Sequence, residues 1–369
     1  MPLARTYRPA RLDDLLGQDS LVTTLKAAIG HNRVAQGYLL SGVRGVGKTT
    51  TARIIARSLN CAEGPTATPC GSCTPCREIA EGASMDVIEL DAASRNGVED
   101  MRALIENAAY APMRPGGYKI YILDEAHMLS TAAWNALLKT LEEPPAHMLF
   151  IFATTEANKV PATIHSRCQS LVLRRIPVDI IAAHVADIAG REDATLAPGV
   201  AETIAHAAGG SMRDALSILD QAMSGAGSDA IALEAVRAML GRADTGRMIG
   251  VTAAIASGKV ERALPGWREL IADGIDPLAA LDDVSRLLHL AQIAALAPDH
   301  LGPAGLDSEG VDTLARIGRF HGAGRLGGAQ AMVFSARKAI ADNPDRALAA
   351  EIFILRLNAH FDAPRVKAA

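Results

Sequence analysis

From Gly37 to about Arg174 the chain alternates short apolar runs with longer stretches of helical periodicity. Tyr38-Leu39-Leu40, Val87-Ile88-Glu89-Leu90, Ile120-Tyr121-Ile122-Leu123, Leu149-Phe150-Ile151-Phe152 and Leu171-Val172-Leu173 are too short for buried helices and rich in β-branched or aromatic residues, which predicts strands. Between them, Ala52, Ile55, Ala56 and Leu59 recur at i, i+3, i+4 and i+7, as do Trp134, Leu137, Leu138 and Leu141, the spacing of one helix face. Strands alternating with helices predict right-handed βαβ units and a parallel sheet covered on both faces. After Pro177 the strand pattern stops. Residues 178–240 read as a small helical domain, with one helix starting near Pro198 and another after Gly209-Gly210. The second opens Ser211-Met212-Arg213-Asp214, a capping-box variant with Asp in the Glu position. From 243 to 369 the pattern is again helical, punctuated at Gly258, Pro265, Gly274, Pro277, Gly327-Gly328 and Pro344. The expected fold class is α/β followed by all-α.

The length of 369 residues predicts two or three domains. Aromatic residues make up only 4% against 49% hydrophobic overall, which favours packed small-residue helices over sandwiches or barrels. A net charge of −4 excludes a basic coat for nucleic acid, so any DNA contact must come from a local patch or helix N-termini. No apolar run approaches the ~20 residues needed to cross a bilayer. Met1-Pro2-Leu3-Ala4-Arg5 has no apolar stretch behind its positive residues, so no secretory signal and a cytoplasmic location are expected.

Gly42-Val43-Arg44-Gly45-Val46-Gly47-Lys48-Thr49 fits G-x-x-x-x-G-K-[ST], between a predicted strand and an amphipathic helix. Glycines let backbone N–H groups wrap phosphates with no Cβ in the way, and the helix that follows turns its positive end toward the same anion. Lys48 is expected to reach the β- and γ-phosphates of ATP, and the Thr49 hydroxyl, ahead of Thr50, to coordinate Mg²⁺. Ile122-Leu123-Asp124-Glu125 supplies the acidic partner: Asp124 for the Mg²⁺ shell, Glu125 to polarise the attacking water. An apolar strand delivers the pair to the sheet edge where ligands bind in open α/β folds. With His127 the string reads Asp-Glu-Ala-His, as in a class of helicases, but too few strands follow residue 177 for the second α/β domain a helicase needs.

Cys61, Cys70, Cys73 and Cys76 form a closely spaced set of four after the phosphate-loop helix. In a cytosolic ATPase disulfides are disfavoured, so the set argues for a metal. Tetrahedral Cys₄ suits Zn²⁺ in a closed, structural site, with Pro69, Gly71 and Pro75 permitting tight knuckle turns. An iron–sulfur cluster is the rival, against which weigh the single long gap and the lack of a second cluster-type run. Cys168, the odd cysteine, is expected to be a buried or partly buried thiol.

Further motifs make the chain resemble the AAA+ ATPases of the bacterial replicative clamp loader, the gamma/tau family of DNA polymerase III. They are Thr6-Tyr7-Arg8-Pro9, Asp14-Leu15-Leu16-Gly17-Gln18, Leu137-Leu138-Lys139-Thr140-Leu141-Glu142-Glu143-Pro144-Pro145, Ala153-Thr154-Thr155, Ser166-Arg167-Cys168 and Gly210-Ser211-Met212-Arg213-Asp214-Ala215-Leu216, dense over residues 4–240 and looser beyond. The resemblance implies an AAA+ P-loop domain over 1–176 with a zinc module at 61–76, a helical lid over 177–242, and a helical oligomerisation collar over 243–369. It implies adenine contacts from Ala4, Arg5, Arg8 and Pro9, a sensor-1 hydroxyl at Thr155, a sensor-2 arginine facing the γ-phosphate at Arg213, and an arginine finger acting on a neighbouring subunit at Arg167. The implied role is an ATP-driven motor that opens the sliding clamp (beta) and loads it on primer–template DNA, assembled with delta, delta-prime and further gamma/tau copies and with no membrane partner. Arg95 is a candidate contact to DNA phosphate. Another AAA+ DNA-processing ATPase, such as a helicase loader or a Holliday-junction motor, and a non-catalytic nucleotide-binding scaffold stand as alternatives.

Overall fold

The computed structural model describes residues 2–108, 110–226, 230–241, 243–297 and 308–362. It divides into two compact units, Met1–Leu196 with Ile204–Asp229, and Ala197–Thr203 with Ala230–Ala369.

The first unit opens with a one-turn helix, α1 (Leu3–Thr6), and α2 (Asp19–Gly30). There follow β1 (Gly37–Ser41), α3 (Lys48–Asn60), α4 (Thr74–Glu81), β2 (Val87–Asp91), α5 (Val98–Ala108), β3 (Lys119–Asp124), α6 (Thr131–Glu142), β4 (Met148–Thr154), α7 (Ala162–His165) and β5 (Gln169–Val172). Helices α8 (Val178–Arg191) and α10 (Met212–Ala226) complete the run, and the division between the units falls inside α9 (Val200–Ala207), after Thr203. All pairings are parallel, in the order β2-β3-β4-β1-β5. Each of the five expected strands is present.

Period-2 alternation explains why the sheet is covered on both sides. Tyr38, Leu40, Ile120, Ile122, Leu149 and Ile151 point to one face, where Ile54, Ile55 and Leu59 of α3 pack on them. Leu39, Tyr121, Leu123, Phe150 and Phe152 point to the other, against Met101 and Leu104 of α5 and Trp134 and Leu137 of α6. Ser130 caps α6 by accepting the Ala133 N–H at 3.2 Å. The edge strands β2 and β5 are only partly buried and carry the mixed composition expected of edges.

The second unit is built from α11 (Leu233–Met239), α12 (Thr245–Ala256), α13 (Val260–Ala272), α14 (Pro277–Leu296), α15 (Ser308–Ala341) and α16 (Arg346–Asp362) around Trp267, Val284, Leu287, Leu314, Ile354 and Leu357. Gly258 and Gly274 end α12 and α13 at φ 73° and 85°. Asp276 caps α14, whose first residue is Pro277. Two expected breaks are absent. Pro265 lies inside α13, where burial of Ala263, Trp267 and Leu270 along one face outweighs the lost hydrogen bond. Gly327-Gly328 lies inside α15, and the kink falls instead at Gly322, φ 73°. The pair serves close packing: a Cβ on Gly328 would stand 3.2 Å from the His360 ring, and one on Gly327 3.4 Å from Gln292 Nε2. Gly318 is tighter still, since its Cβ would meet the Ala291 carbonyl oxygen at 2.1 Å.

Among the described residues no helix is long and apolar enough to cross a membrane.

Candidate functional site

The site forms where β1, β3 and β4 end side by side. Register pairs Ser41 with Thr154 and Leu123 with Phe152, so the loop after β1, the Asp124-Glu125 pair after β3 and the threonines ending β4 share one edge. Gly42, Gly45 and Gly47 hold φ 151°, 77° and 105°, backbone that a side chain would strain. Gly42 is also pinned by contact, because a Cβ there would lie 2.5 Å from the Leu173 carbonyl oxygen. Arg44 points to solvent while Val46 is buried, the alternation of a loop that wraps its own core.

Lys48 opens α3 and is 6% exposed. Its ammonium donates to Gly42 O at 2.9 Å and Val43 O at 3.0 Å. Burial pushes its pKa below the usual lysine range, against the pull of the Glu125 and Asp124 carboxylates. Thr49 Oγ1 donates to Asp124 Oδ2 at 2.6 Å, so the two residues expected to share a Mg²⁺ ion already meet. Thr50 follows, partly buried on the first turn. Glu125 sits at φ 46° with its N–H donating to Asp124 Oδ1 at 2.9 Å. Thr155 Oγ1 donates to Glu125 Oε2 at 3.2 Å. The structure thus brings Lys48, Thr49, Asp124, Glu125 and Thr155 together.

The start of α10 docks on the same loop. Arg213 N–H donates to Gly45 O at 3.3 Å. Half of the expected capping box forms: Ser211 Oγ accepts the Asp214 N–H at 3.2 Å, while the Ser211 N–H goes to Ala208 O instead of to the Asp214 carboxylate. Ala4 and Arg5 lie in α1, which packs on α10, with Arg8 and Pro9 just beyond. Partial desolvation, then repulsion from Arg53, Arg213 and Arg5, push the Arg8 guanidinium down against the pull of Glu89. Tyr7 ties this stretch to the end of α8 through a 2.7 Å hydrogen bond to Glu192.

Arg167 is not part of this cluster. It lies on the turn between α7 and β5, exposed, paired with Glu142 and donating to Thr163 O at 2.8 Å. Register places it at the other end of the strands, since Gln169 pairs with Tyr38 at the start of β1. A strand length of roughly 15 Å therefore separates it from its own phosphate loop. Arg95 lies exposed in the turn before α5. Cys168 is buried, and burial raises its thiol to about 11.

The four thiols of Cys61, Cys70, Cys73 and Cys76 converge to within 4.8 Å of one another, with Cys61 and Cys70 sulfurs 3.6 Å apart. A tetrahedral ion with metal–sulfur bonds of about 2.3 Å needs sulfur–sulfur edges of roughly 3.8 Å, which this set fits. N–H groups of Ala62, Cys70 and Cys73 point at the sulfurs of Cys73, Cys61 and Cys70 at 3.5, 3.5 and 3.4 Å, the second layer that stabilises thiolates. Arg114 braces the knuckle from outside through the carbonyls of Asn60, Cys61 and Ala62.

Sequence reasoning missed three residues of this edge. Thr154, fully buried, faces His127 with its hydroxyl; Glu156 faces the other side of that ring; and Ser211 touches the phosphate loop as well as capping α10. Thr154 and Ser211 lie inside motifs that assigned them no role at the site, and Glu156 directly follows one.

Three family models match in tandem: one described as DNA polymerase III, delta subunit, over residues 17–177, one as the DNA polymerase III clamp loader subunit, ATPase lid domain, over 180–228, and one as DNA polymerase III subunits gamma and tau domain III, over 231–369. DNA polymerase III subunit tau of Salmonella typhimurium is 41% identical over 96% of this chain and 54% of its own length. The Escherichia coli subunit tau is 44% identical over 81% of this chain and 46% of its own. The chain thus spans about half the length of the curated relatives it matches. Among solved structures, the RuvB Holliday junction branch migration motor of Thermotoga maritima is similar with 21% identity and a TM-score of 0.48, over 73% of this chain and 86% of that one.

Proposed function

The chain belongs to the DNA polymerase III gamma/tau family of clamp-loader AAA+ subunits, and from that membership we propose that it is an ATP-driven motor subunit of a replicative clamp loader. The observation that carries the proposal is the meeting of Thr49 with Asp124 at 2.6 Å, beside Lys48 and Glu125, at the ends of three adjacent parallel strands.

ATP is bound by the backbone amides of Gly42–Thr50, with Lys48 on the β- and γ-phosphates and Ala4, Arg5, Arg8 and Pro9 on the adenine side. Thr49 and Asp124 hold Mg²⁺, which neutralises charge on the phosphate oxygens when bound. Glu125 orients the attacking water, Thr155 fixes Glu125, and Arg213 reads the γ-phosphate from the lid. The functional parts are the P-loop domain 1–176, the lid 177–242 and the collar 243–369. Cys61, Cys70, Cys73 and Cys76 hold a structural Zn²⁺, a closed site with no open position for substrate.

Arg167 acts in trans. Its distance from its own phosphate loop and its exposed position support a finger offered to a neighbouring subunit, where a guanidinium meets charge developing on the γ-phosphate. ATP bound at each boundary joins gamma/tau copies, delta and delta-prime in a spiral that opens the sliding clamp and grips primer–template DNA by its backbone, with Arg95 as one phosphate contact. Hydrolysis removes the bridge and the clamp closes.

The test is Arg167→Ala mixed with wild-type chain and its clamp-loader companions. ATP turnover is expected to fall by at least about 10³-fold at boundaries served by the variant, the lower range for an arginine finger, while magnesium–ATP still binds. Unchanged turnover refutes the trans mechanism. Lys48→Ala is expected to lose magnesium–ATP affinity outright, and retained clamp loading by that variant would support a non-catalytic scaffold instead.

A further inference from the structure

His127 completes the Asp-Glu-Ala-His string yet has no role in the phosphate chemistry above. Its side chain is 9% exposed, under the strand ends. Nδ1 lies 3.1 Å from Thr154 Oγ1 and 3.5 Å from Glu125 Oε2, and Nε2 lies 3.4 Å from Glu156 Oε1. Thr154 Oγ1 also accepts the Glu156 N–H at 3.0 Å, and Lys159 holds Glu156 Oε1 at 3.0 Å. The ring is anchored from two sides, and its Nδ1 also stands 3.5 Å from the Glu125 carboxylate.

Glu125 needs such support for physical reasons. Its side chain is 34% exposed, so water competes for the carboxylate. Its backbone sits in the left-handed region, which costs a non-glycine residue roughly 1–2 kcal/mol and persists only where the surroundings dictate it. Thr155 and His127 both stand on Oε2, which leaves Oε1 for the attacking water.

We propose that His127 is a positioning residue that, with Thr154 and Glu156 behind it, holds the Glu125 carboxylate in the rotamer that presents Oε1 to the water attacking the γ-phosphate. This rests on the reading of Glu125 as the water-orienting base.

The test compares His127→Leu, which keeps bulk without polar contact, with His127→Asn, whose amide takes the place of Nδ1, each assayed in the complex with clamp-loader companions. His127→Leu is expected to lower kcat on the order of 100-fold, the cost of a displaced catalytic group, with the Kd for magnesium–ATP unchanged within about twofold. His127→Asn is expected to recover at least about tenfold of that loss. In a Glu125→Gln background, His127→Leu is expected to cost nothing more, because the group it positions is already disabled. Wild-type turnover by His127→Leu, a parallel loss of ATP affinity, no recovery with Asn, or a further loss in the Glu125→Gln background each overturns the proposal. If Glu125→Gln alone leaves turnover intact, the reading of Glu125 fails first and takes this one with it.

Discussion

Gly45→Ala probes the joint between the phosphate loop and α10. A Cβ at residue 45 would lie 1.9 Å from Ser211 Oγ, 3.1 Å from Ser211 Cβ and 3.2 Å from Arg213 Cβ, at a backbone φ of 77°. The left-handed backbone alone costs an alanine about 1–2 kcal/mol. No real Cβ tolerates 1.9 Å, so the Ser211 hydroxyl must rotate away and abandon the Asp214 N–H, which costs about 1 kcal/mol more as a lost helix cap. The sum is about 2–3 kcal/mol on the first unit. The two tryptophans make the measurement clean, since Trp134 lies in the core of the first unit and Trp267 in that of the second. In a Trp267→Phe background, urea unfolding followed by fluorescence reports the first unit. Gly82→Ala is the control: φ is 74° with nothing within 4 Å of the new Cβ, so only the backbone cost of about 1–2 kcal/mol applies. Ser211→Ala should shrink the penalty of Gly45→Ala by about 1 kcal/mol, because the displaced hydroxyl is gone and the cap already lost. Equal losses for Gly45→Ala and Gly82→Ala, with no coupling to Ser211, would refute the argument that steric contact with α10 requires the glycine.

Two further outcomes follow from the cysteines. The purified chain should carry one zinc ion by elemental analysis, and Cys73→Ser should lose it and lower the Trp134-reported midpoint; the visible absorbance of an iron–sulfur cluster would show the zinc assignment to be wrong. For Cys168 the sign follows from a thiol raised from 9.0 to about 11 by burial. Its contribution is fully present below pH 9.0, and is lost as the pH rises from there to about 11, where the unfolded chain ionises first. The loss should reach about 2–3 kcal/mol, and Cys168→Ala should flatten the stability profile in that window.

The sheet was legible because its signal is local. Ile120-Tyr121-Ile122-Leu123 and Leu149-Phe150-Ile151-Phe152 are apolar at every position, which only a strand buried on both faces satisfies. The helical half was less legible because glycine and proline carry two meanings. At Gly258 and Gly274 the backbone is left-handed and the helix ends, as local chemistry dictates. At Gly318, Gly327 and Gly328 the same residue type lets another helix come close, and at Pro265 a buried face overrides a local penalty. Only the packing partner separates these cases, and that partner lies far along the chain: Ala291 for Gly318, His360 for Gly328.

The candidate site divides in the same way. Lys48 with Thr49, and Asp124 with Glu125, were readable because each pair needs neighbours a few residues away. The threonines ending β4 were not so easily told apart. Thr154 is the last residue of β4 and Thr155 the first beyond it, and they reach different partners, Thr154 the His127 ring and Thr155 the Glu125 carboxylate. A slip of one residue in the pairing of β4 would move both out of place, so their contacts depend on a register that buries Phe150 and Phe152 on one face and Leu149 and Ile151 on the other. The aromatic contact between Trp134 and Phe152, with centroids 5.2 Å apart, fixes that register from α6. The hydrophobic alternation that builds the sheet is therefore also what aligns Glu125 with its hydroxyl and imidazole neighbours, and a mutation at Phe152 should disturb the Glu125 contacts through the strand without touching them.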